Sequence, residues 1–192
     1  MEPDIDELRK NYERLDDERI IRLASEEATE LRPEALELLK QIIKERGLSP
    51  VVGKAIDVQF KAIDEGTLLG YCELLRRLPC PSCNSVNERL NGNIIATLSS
   101  GYYFENIKIA CPTCLDKAYS RANLNIALSG WWRLPGLYNT PRALIFNKKM
   151  KKLNHIEEPS QSLMLFVAKQ AGRIELNRNS PEGLIDILLY PR

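Results

Sequence analysis

Residues 80–114 read CPSCNSVNERLNGNIIATLSSGYYFENIKIACPTC, a segment opened by Cys80-Pro81-Ser82-Cys83 and closed by Cys111-Pro112-Thr113-Cys114. Two residues between paired cysteines let a tight turn aim both sulfurs at one ion. Proline pre-sets that turn, and backbone N–H groups beyond it donate to the thiolates. Between the pairs the texture is that of strands: Ile, Thr, Tyr and Phe dominate from Asn93 to Ala110, and Ile107-Lys108-Ile109-Ala110 alternates as a half-buried strand does. The segment therefore predicts a small antiparallel hairpin that brings one cysteine pair over the other, on the plan of a zinc ribbon. Cys80, Cys83, Cys111 and Cys114 are the expected ligands of one structural Zn2+. Four protein sulfurs leave the ion no open position, so Lewis-acid and hydroxide chemistry are not expected of it. Cys72 falls on an apolar helical face and reads as packing.

Upstream, the chain reads as helices. Asp16 or Asp17 caps a helix whose Ile20, Leu23, Ala24, Ala28 and Leu31 share one face. Pro33 restarts the chain, Leu36, Leu39, Ile42 and Ile43 stripe a second helix, and Gly47 stops it, giving a helical hairpin over 1–47. Ser49-Pro50 opens a third helix through Val51, Val52, Ala55, Val58 and Ile63, and Thr67 to Arg77 forms a fourth. Downstream of Cys114, helical spacing returns in Leu115, Ala118, Ala122 and Ile126 as far as Gly130. Another helix is expected from Pro141 to Leu153 and another from Ser162 to Ala171. Ile174-Glu175-Leu176 and Leu184 to Tyr190 suit strands or a last helix equally.

The formal net charge of +1, from 27 Lys and Arg against 26 Asp and Glu over 192 residues, hides an uneven distribution. Residues 1–47 carry 14 acids and 9 bases, whereas residues 80–192 carry 8 acids and 14 bases. Lys117, Arg121, Arg133, Arg142, Lys148, Lys149, Lys151 and Lys152 follow one another without an acid among them. Both tryptophans lie in that stretch, in Gly130-Trp131-Trp132-Arg133. Three readings of the stretch stand: tryptophans covering the core, a surface that stacks bases and neutralises phosphates, and an interfacial patch on anionic lipid. Trp131, Trp132, Arg133, Arg142, Lys148, Lys149, Lys151 and Lys152 are the candidate partner-binding residues.

Other chemistries find little support. Gly53-Lys54 would need glycine at 48 and Ser or Thr at 55 to form a phosphate loop, and the chain has Leu48 and Ala55. His155 is the only histidine and sits in a polar stretch, which argues against a histidine-dependent triad. No apolar run approaches the roughly 18 residues that span a bilayer. The acidic opening lacks the pattern of a secretory signal, so five cysteines in a reducing cytoplasm point to metal before disulfides. The enzymatic alternative is a thiol–disulfide oxidoreductase using Cys111 and Cys114, because a strand, a Cys-x-x-Cys and a helix follow in that order.

The motif set of Cys-Pro-Thr-Cys-Leu-Asp-Lys-Ala at 111–118, Gly130-Trp131-Trp132 and Thr140-Pro141-Arg142-Ala143-Leu144, preceded by the Cys80 pair, resembles bacterial zinc-ribbon-like proteins that share paired Cys-Pro-x-Cys and Gly-Trp-Trp motifs. The acidic segment over 12–47 is similar to a short N-terminal segment of bacterial membrane-associated proteins. The resemblance implies no activity. Arg133 stands where that pattern has glycine, and Leu137-Tyr138 where it has a second tryptophan-rich turn. The chain is thus expected to be α+β: an acidic helical hairpin over 1–47, connecting helices over 48–78, a zinc ribbon and following helix over 79–130, and a basic, mostly helical region over 131–192. The expected role is a non-catalytic binding module with a protein partner, the alternatives being nucleic acid or an anionic membrane surface met by residues 117–152. The expected location is cytoplasmic, with a peripheral position on the inner membrane as the alternative.

Overall fold

In a computed structural model, which describes residues 5–60, 63–132 and 134–190, helices flank a single two-stranded antiparallel sheet, an α+β arrangement. The elements are α1 (Ile5–Arg14), α2 (Asp17–Arg22), α3 (Pro33–Glu45), α4 (Pro50–Phe60), α5 (Glu65–Arg76), β1 (Asn91–Ser99), β2 (Tyr102–Ala110), α6 (Pro112–Ser129), α7 (Leu134–Lys151), α8 (Gln161–Lys169), α9 (Ala171–Leu176) and α10 (Pro181–Leu189). They fall into two compact units, one from Met1–Glu65 together with Gln170–Arg192, the other from Gly66–Lys169.

The first unit is helical, and its core gathers Ile20, Leu23, Leu39, Ile42 and Ile56, with Leu176 of α9 packed against it. The single amphipathic helix expected over 16–31 is instead three pieces: α2 ends at Arg22, a π turn covers Leu23–Glu27, and a 3-10 turn covers Ala28–Glu30. The apolar spacing survives because those residues still face the core. The irregular turns are supported from α4, where Gln59 Nε2 donates to the Ala24 carbonyl at 2.7 Å as well as to Ala55 at 2.8 Å. Both segments of the tail that suited strand or helix are helical, as α9 and α10.

Arg46, which the sequence offers only as a favourable charge at the end of α3, reaches across to close α1. Its guanidinium donates to the carbonyls of Tyr12, Glu13 and Leu15 at 3.1, 3.0 and 2.8 Å and pairs with Asp17 at 2.9 Å. Carbonyls at a helix end lack the N–H of a following turn, and here that of Tyr12 also accepts a backbone bond, from the Leu15 N–H at 3.2 Å. Arg46→Ala removes a charge-assisted set of bonds and should lower the stability of the first unit by about 2 kcal/mol, read as a fall in the urea midpoint.

In the second unit β1 and β2 pair from Asn91↔Ala110 to Ser99↔Tyr102. Ser100 and Gly101 close the hairpin with positive φ at both positions, 52° and 83°. This is the type I′ geometry whose twist matches that of the strands. A two-stranded sheet leaves β1 an open edge, and side chains fill it. Asn147 of α7 accepts from the Ala96 N–H at 2.8 Å and donates to the Ala96 carbonyl at 2.9 Å. Tyr119 of α6 donates to the Ile94 carbonyl at 2.6 Å, and Ser160 donates to the Gly92 carbonyl. The edge is thereby closed to further strand pairing.

The helix expected from Pro141 begins earlier, at Leu134, and carries Pro141 inside it. An internal proline removes one ladder bond, at a cost of about 3 kcal/mol. Packing offsets it: Gly136, Thr140, Ala143 and Asn147 form one buried face. Gly136 lies so close to the Gly130 carbonyl that a Cβ would collide with it, which is why α7 can begin immediately after the turn that ends α6.

Candidate metal centre and the α6–α7 surface

The four cysteines of the paired motif meet at the end of the β-hairpin. Their Sγ atoms all lie within 4.8 Å of one another, so the cluster could hold a metal ion. The two pairs have different backbone settings. Cys80 and Cys83 sit in a turn after α5, closed by Asn84 N–H to the Cys80 carbonyl at 2.7 Å and by Cys80 N–H to the Ser85 carbonyl at 2.9 Å. Asn84 adopts the left-handed region there, with φ 57°. Cys111 is instead the N-cap of α6, and Cys114 lies in its first turn. The hairpin supplies the reach: strand pairing returns Ala110 beside Asn91, and the Cys111 N–H comes to 3.4 Å from Cys80 Sγ.

Two buried or tethered side chains frame the cluster. Arg76, 3% exposed at the end of α5, donates through Nε to the Leu90 carbonyl at 3.2 Å, to Glu73 at 2.6 Å and to the Glu157 carbonyl. The Leu90 N–H returns a bond to the Arg76 carbonyl at 3.0 Å, so the loop bearing Cys80 and Cys83 is clamped at its base. Glu88 accepts from the Thr113 N–H at 3.3 Å and from its hydroxyl at 2.9 Å, placing a carboxylate on the positive end of α6. These bonds hold the Glu88 carboxyl below the usual carboxylate range. Neither residue stands out in the sequence, because both are charged residues with no motif around them.

Distances and chemistry fit a four-thiolate site. A Zn–S bond of about 2.3 Å gives tetrahedron edges of about 3.8 Å. Cys83 Sγ and Cys111 Sγ lie 3.7 Å apart, far beyond the length of a disulfide, and all five cysteines are free. Burial raises the Cys80 thiol, but the N–H groups of Cys111, Ser82 and Cys83 outweigh it and hold it down at about 7. Burial pushes Cys111 and Cys114 up, and the crowding of neighbouring thiols adds to the rise at Cys111. A divalent cation among the sulfurs inverts that bias. Cys72 lies outside the cluster, fully buried, and burial pushes its thiol up to about 11, consistent with packing.

Of the candidate partner-binding residues, Trp131 and Trp132 lie in the turn after α6, Arg142, Lys148, Lys149 and Lys151 on α7, which runs antiparallel to α6, and Lys152 just after it. Trp131, in the short 3-10 turn Gly130–Trp132, is 49% exposed. Arg142 lies 4.6 Å from the Tyr103 ring centroid in a cation–π contact. Lys148, Lys149 and Lys152 are exposed, and Lys151 is half-buried beside a groove lined also by Asp116 and His155. Arg133 and the Trp132 side chain lie outside the described residues. His155 is exposed, yet contacts Asp116 at 3.1 Å. Asp116 also accepts from Asn154 at 2.7 Å. Among the described residues no helix is long and apolar enough to cross a membrane.

What the sequence reading missed is the exposure of aliphatic residues on α6 and α7: Leu128, Leu134 and Ile145 are 66%, 85% and 70% exposed. The signal was present as leucines off the core stripe of α6, at 124 and 128. No family model, curated protein or solved structure matches this chain, so the resemblance to paired-cysteine proteins gains no support there, and function follows from the cysteine cluster and the hairpin surface themselves.

Proposed function

We propose that the chain is a non-catalytic binding module in which one structural zinc, held by Cys80, Cys83, Cys111 and Cys114, fixes the β-hairpin and α6 so that residues 117–152 can meet a partner macromolecule. The observation that carries this reading is the convergence of four thiols from two distant pairs, in a donor set suited to a tetrahedral soft-ligand metal. Four ligands complete the coordination of zinc and leave no site for substrate. The oxidoreductase alternative fares less well. An attacking thiol needs exposure and a lowered pKa, whereas Cys111 is buried and shifted upward, and its neighbours include Cys80 and Cys83 as well as Cys114. Among the partners the sequence allows, exposed leucines favour an apolar-accepting face, protein or lipid, over a phosphate backbone. Elemental analysis of protein prepared without chelator should give one zinc per chain and no iron. Less than half an equivalent of zinc, with four rapidly alkylated thiols, would refute the reading.

A further inference from the structure

We propose that the hairpin of α6 and α7 docks by its turn on an anionic lipid surface, an inference that rests on the binding-module reading and names its partner. The two helices run in opposite senses: Asn154 bonds Asp116, Asn147 bonds Asn123, and Thr140 approaches Gly130. This pairing fixes which residues share a level along the hairpin. At the end nearest the cysteines the exposed positions include five bases, Lys117 and Arg121 on α6, Lys148 and Lys149 on α7 and Lys152 just beyond it. Toward the turn the exposed positions become mainly apolar, with Leu124 and Leu128 on α6, Trp131 at the turn, and Leu134 and Leu137 on α7, Arg142 beside the Tyr103 ring being the base among them.

Arg142 apart, both helices grade from apolar at the tip to basic behind it. At 1.5 Å per residue, Arg121 lies about 10 Å and Lys117 about 16 Å behind Leu128. Interfacial helices bury apolar side chains about 5–10 Å into the boundary between headgroups and acyl chains. With the tip at that depth, the bases come level with the phosphates or within a Debye length of them. Charge complementarity is one-sided: the sequence has no acid between Asp116 and Glu157, and the five bases named make no ion pair among the described residues. Glu105 on β2 accepts from the Tyr103 hydroxyl at 2.8 Å, and Asp116, in the groove with Lys148 and Lys152, is engaged by Asn154 and His155. The tip carries exposed rings at Trp131 and Tyr138, but Leu128, Leu134 and Leu137 offer a nucleic acid nothing to stack on and would stay in water.

Sedimentation of the full zinc-loaded chain with vesicles tests the proposal, using phosphatidylcholine alone and phosphatidylcholine mixed with phosphatidylglycerol. The mixed vesicles should bind about tenfold more tightly, and added salt should weaken that binding. Both tryptophans lie at the turn, so emission should shift to the blue on binding. The double variant Leu128→Asp, Leu134→Asp should lose about tenfold or more in affinity, and Lys148→Ala, Lys149→Ala a similar amount, with zinc content and circular dichroism unchanged because these side chains are exposed. Zinc-loaded protein that ignores the mixed vesicles, or whose binding survives the leucine changes, overturns the lipid inference and leaves the module reading standing. Retention of an oligonucleotide or of one protein without vesicle binding has the same consequence. Loss of the module reading shows separately, as missing zinc.

Discussion

Cys111→Ser should release the metal and unfold the second unit while the first persists. Cys111 caps α6, lies 3.7 Å from Cys83 Sγ and donates its N–H toward Cys80, so its sulfur joins the knuckle to the helix. Structural zinc sites bind with about 10–16 kcal/mol, as much as or more than the whole stability of most domains. Serine preserves size but supplies no thiolate, and three sulfurs with an exposed fourth position hold zinc far more weakly. Amide exchange should show β1, β2 and the first half of α6 unprotected, with α3 and α4 still protected. Elemental analysis should show zinc falling well below one per chain. Retention of full zinc and unchanged protection in the variant would mean that the cluster does not hold the unit together. Removing metal from the unaltered chain with a strong chelator should reproduce the same pattern reversibly.

Asn147→Ala should be the most damaging single substitution away from the cysteines. The side chain is completely buried and makes three bonds, two to the Ala96 backbone and one to Asn123 at 2.9 Å. Truncation leaves the Ala96 N–H and carbonyl without partners in a place water does not reach. At about 1–3 kcal/mol for each orphaned group, plus the small cavity, the loss should be about 3–5 kcal/mol. Denaturant melts of the zinc-loaded protein measure it directly. A loss under about 1 kcal/mol would show that the β1 edge is satisfied in some other way.

The contrast between these two residues shows what the sequence can disclose. Cysteine pairs are legible because two thiols at that spacing suit few chemistries, and a second matching pair favours metal ligation over redox exchange. Asn147, Asn93 and Asn91 carry as much of the second unit's architecture, yet asparagine in a sequence reads as turn or solvent. Only the tertiary arrangement reveals that their amides stand in for a missing third strand. The same holds for α2. Ile20, Leu23, Ala24 and Ala28 predict a regular helix correctly as to face, but the π turn depends on Gln59 arriving from α4. Pro141 reads as a helix start because a proline inside a helix is costly, and the buried face that outweighs the cost is assembled only by packing on β1. By contrast, the strand-forming residues from Asn93 to Ala110 disclosed the antiparallel hairpin, and the structure puts its turn at Ser100-Gly101.

The split membership of the first unit bears on how the protein is made. Helix α9, which completes the core built by Ile20 and Leu39, leaves the ribosome only after the whole of Gly66–Lys169 has been synthesised. If the cysteine cluster holds zinc as proposed, the second unit can bind it and fold while the first still lacks its last helices. Folding of the second unit shortens the flexible path, about a hundred residues long, that joins the two parts of the first along the chain. Loop closure grows costlier with tether length, though only logarithmically. Zinc supply during translation should then set how quickly α9 finds α4, and a chain made without zinc should spend longer with its N-terminal helices incompletely covered.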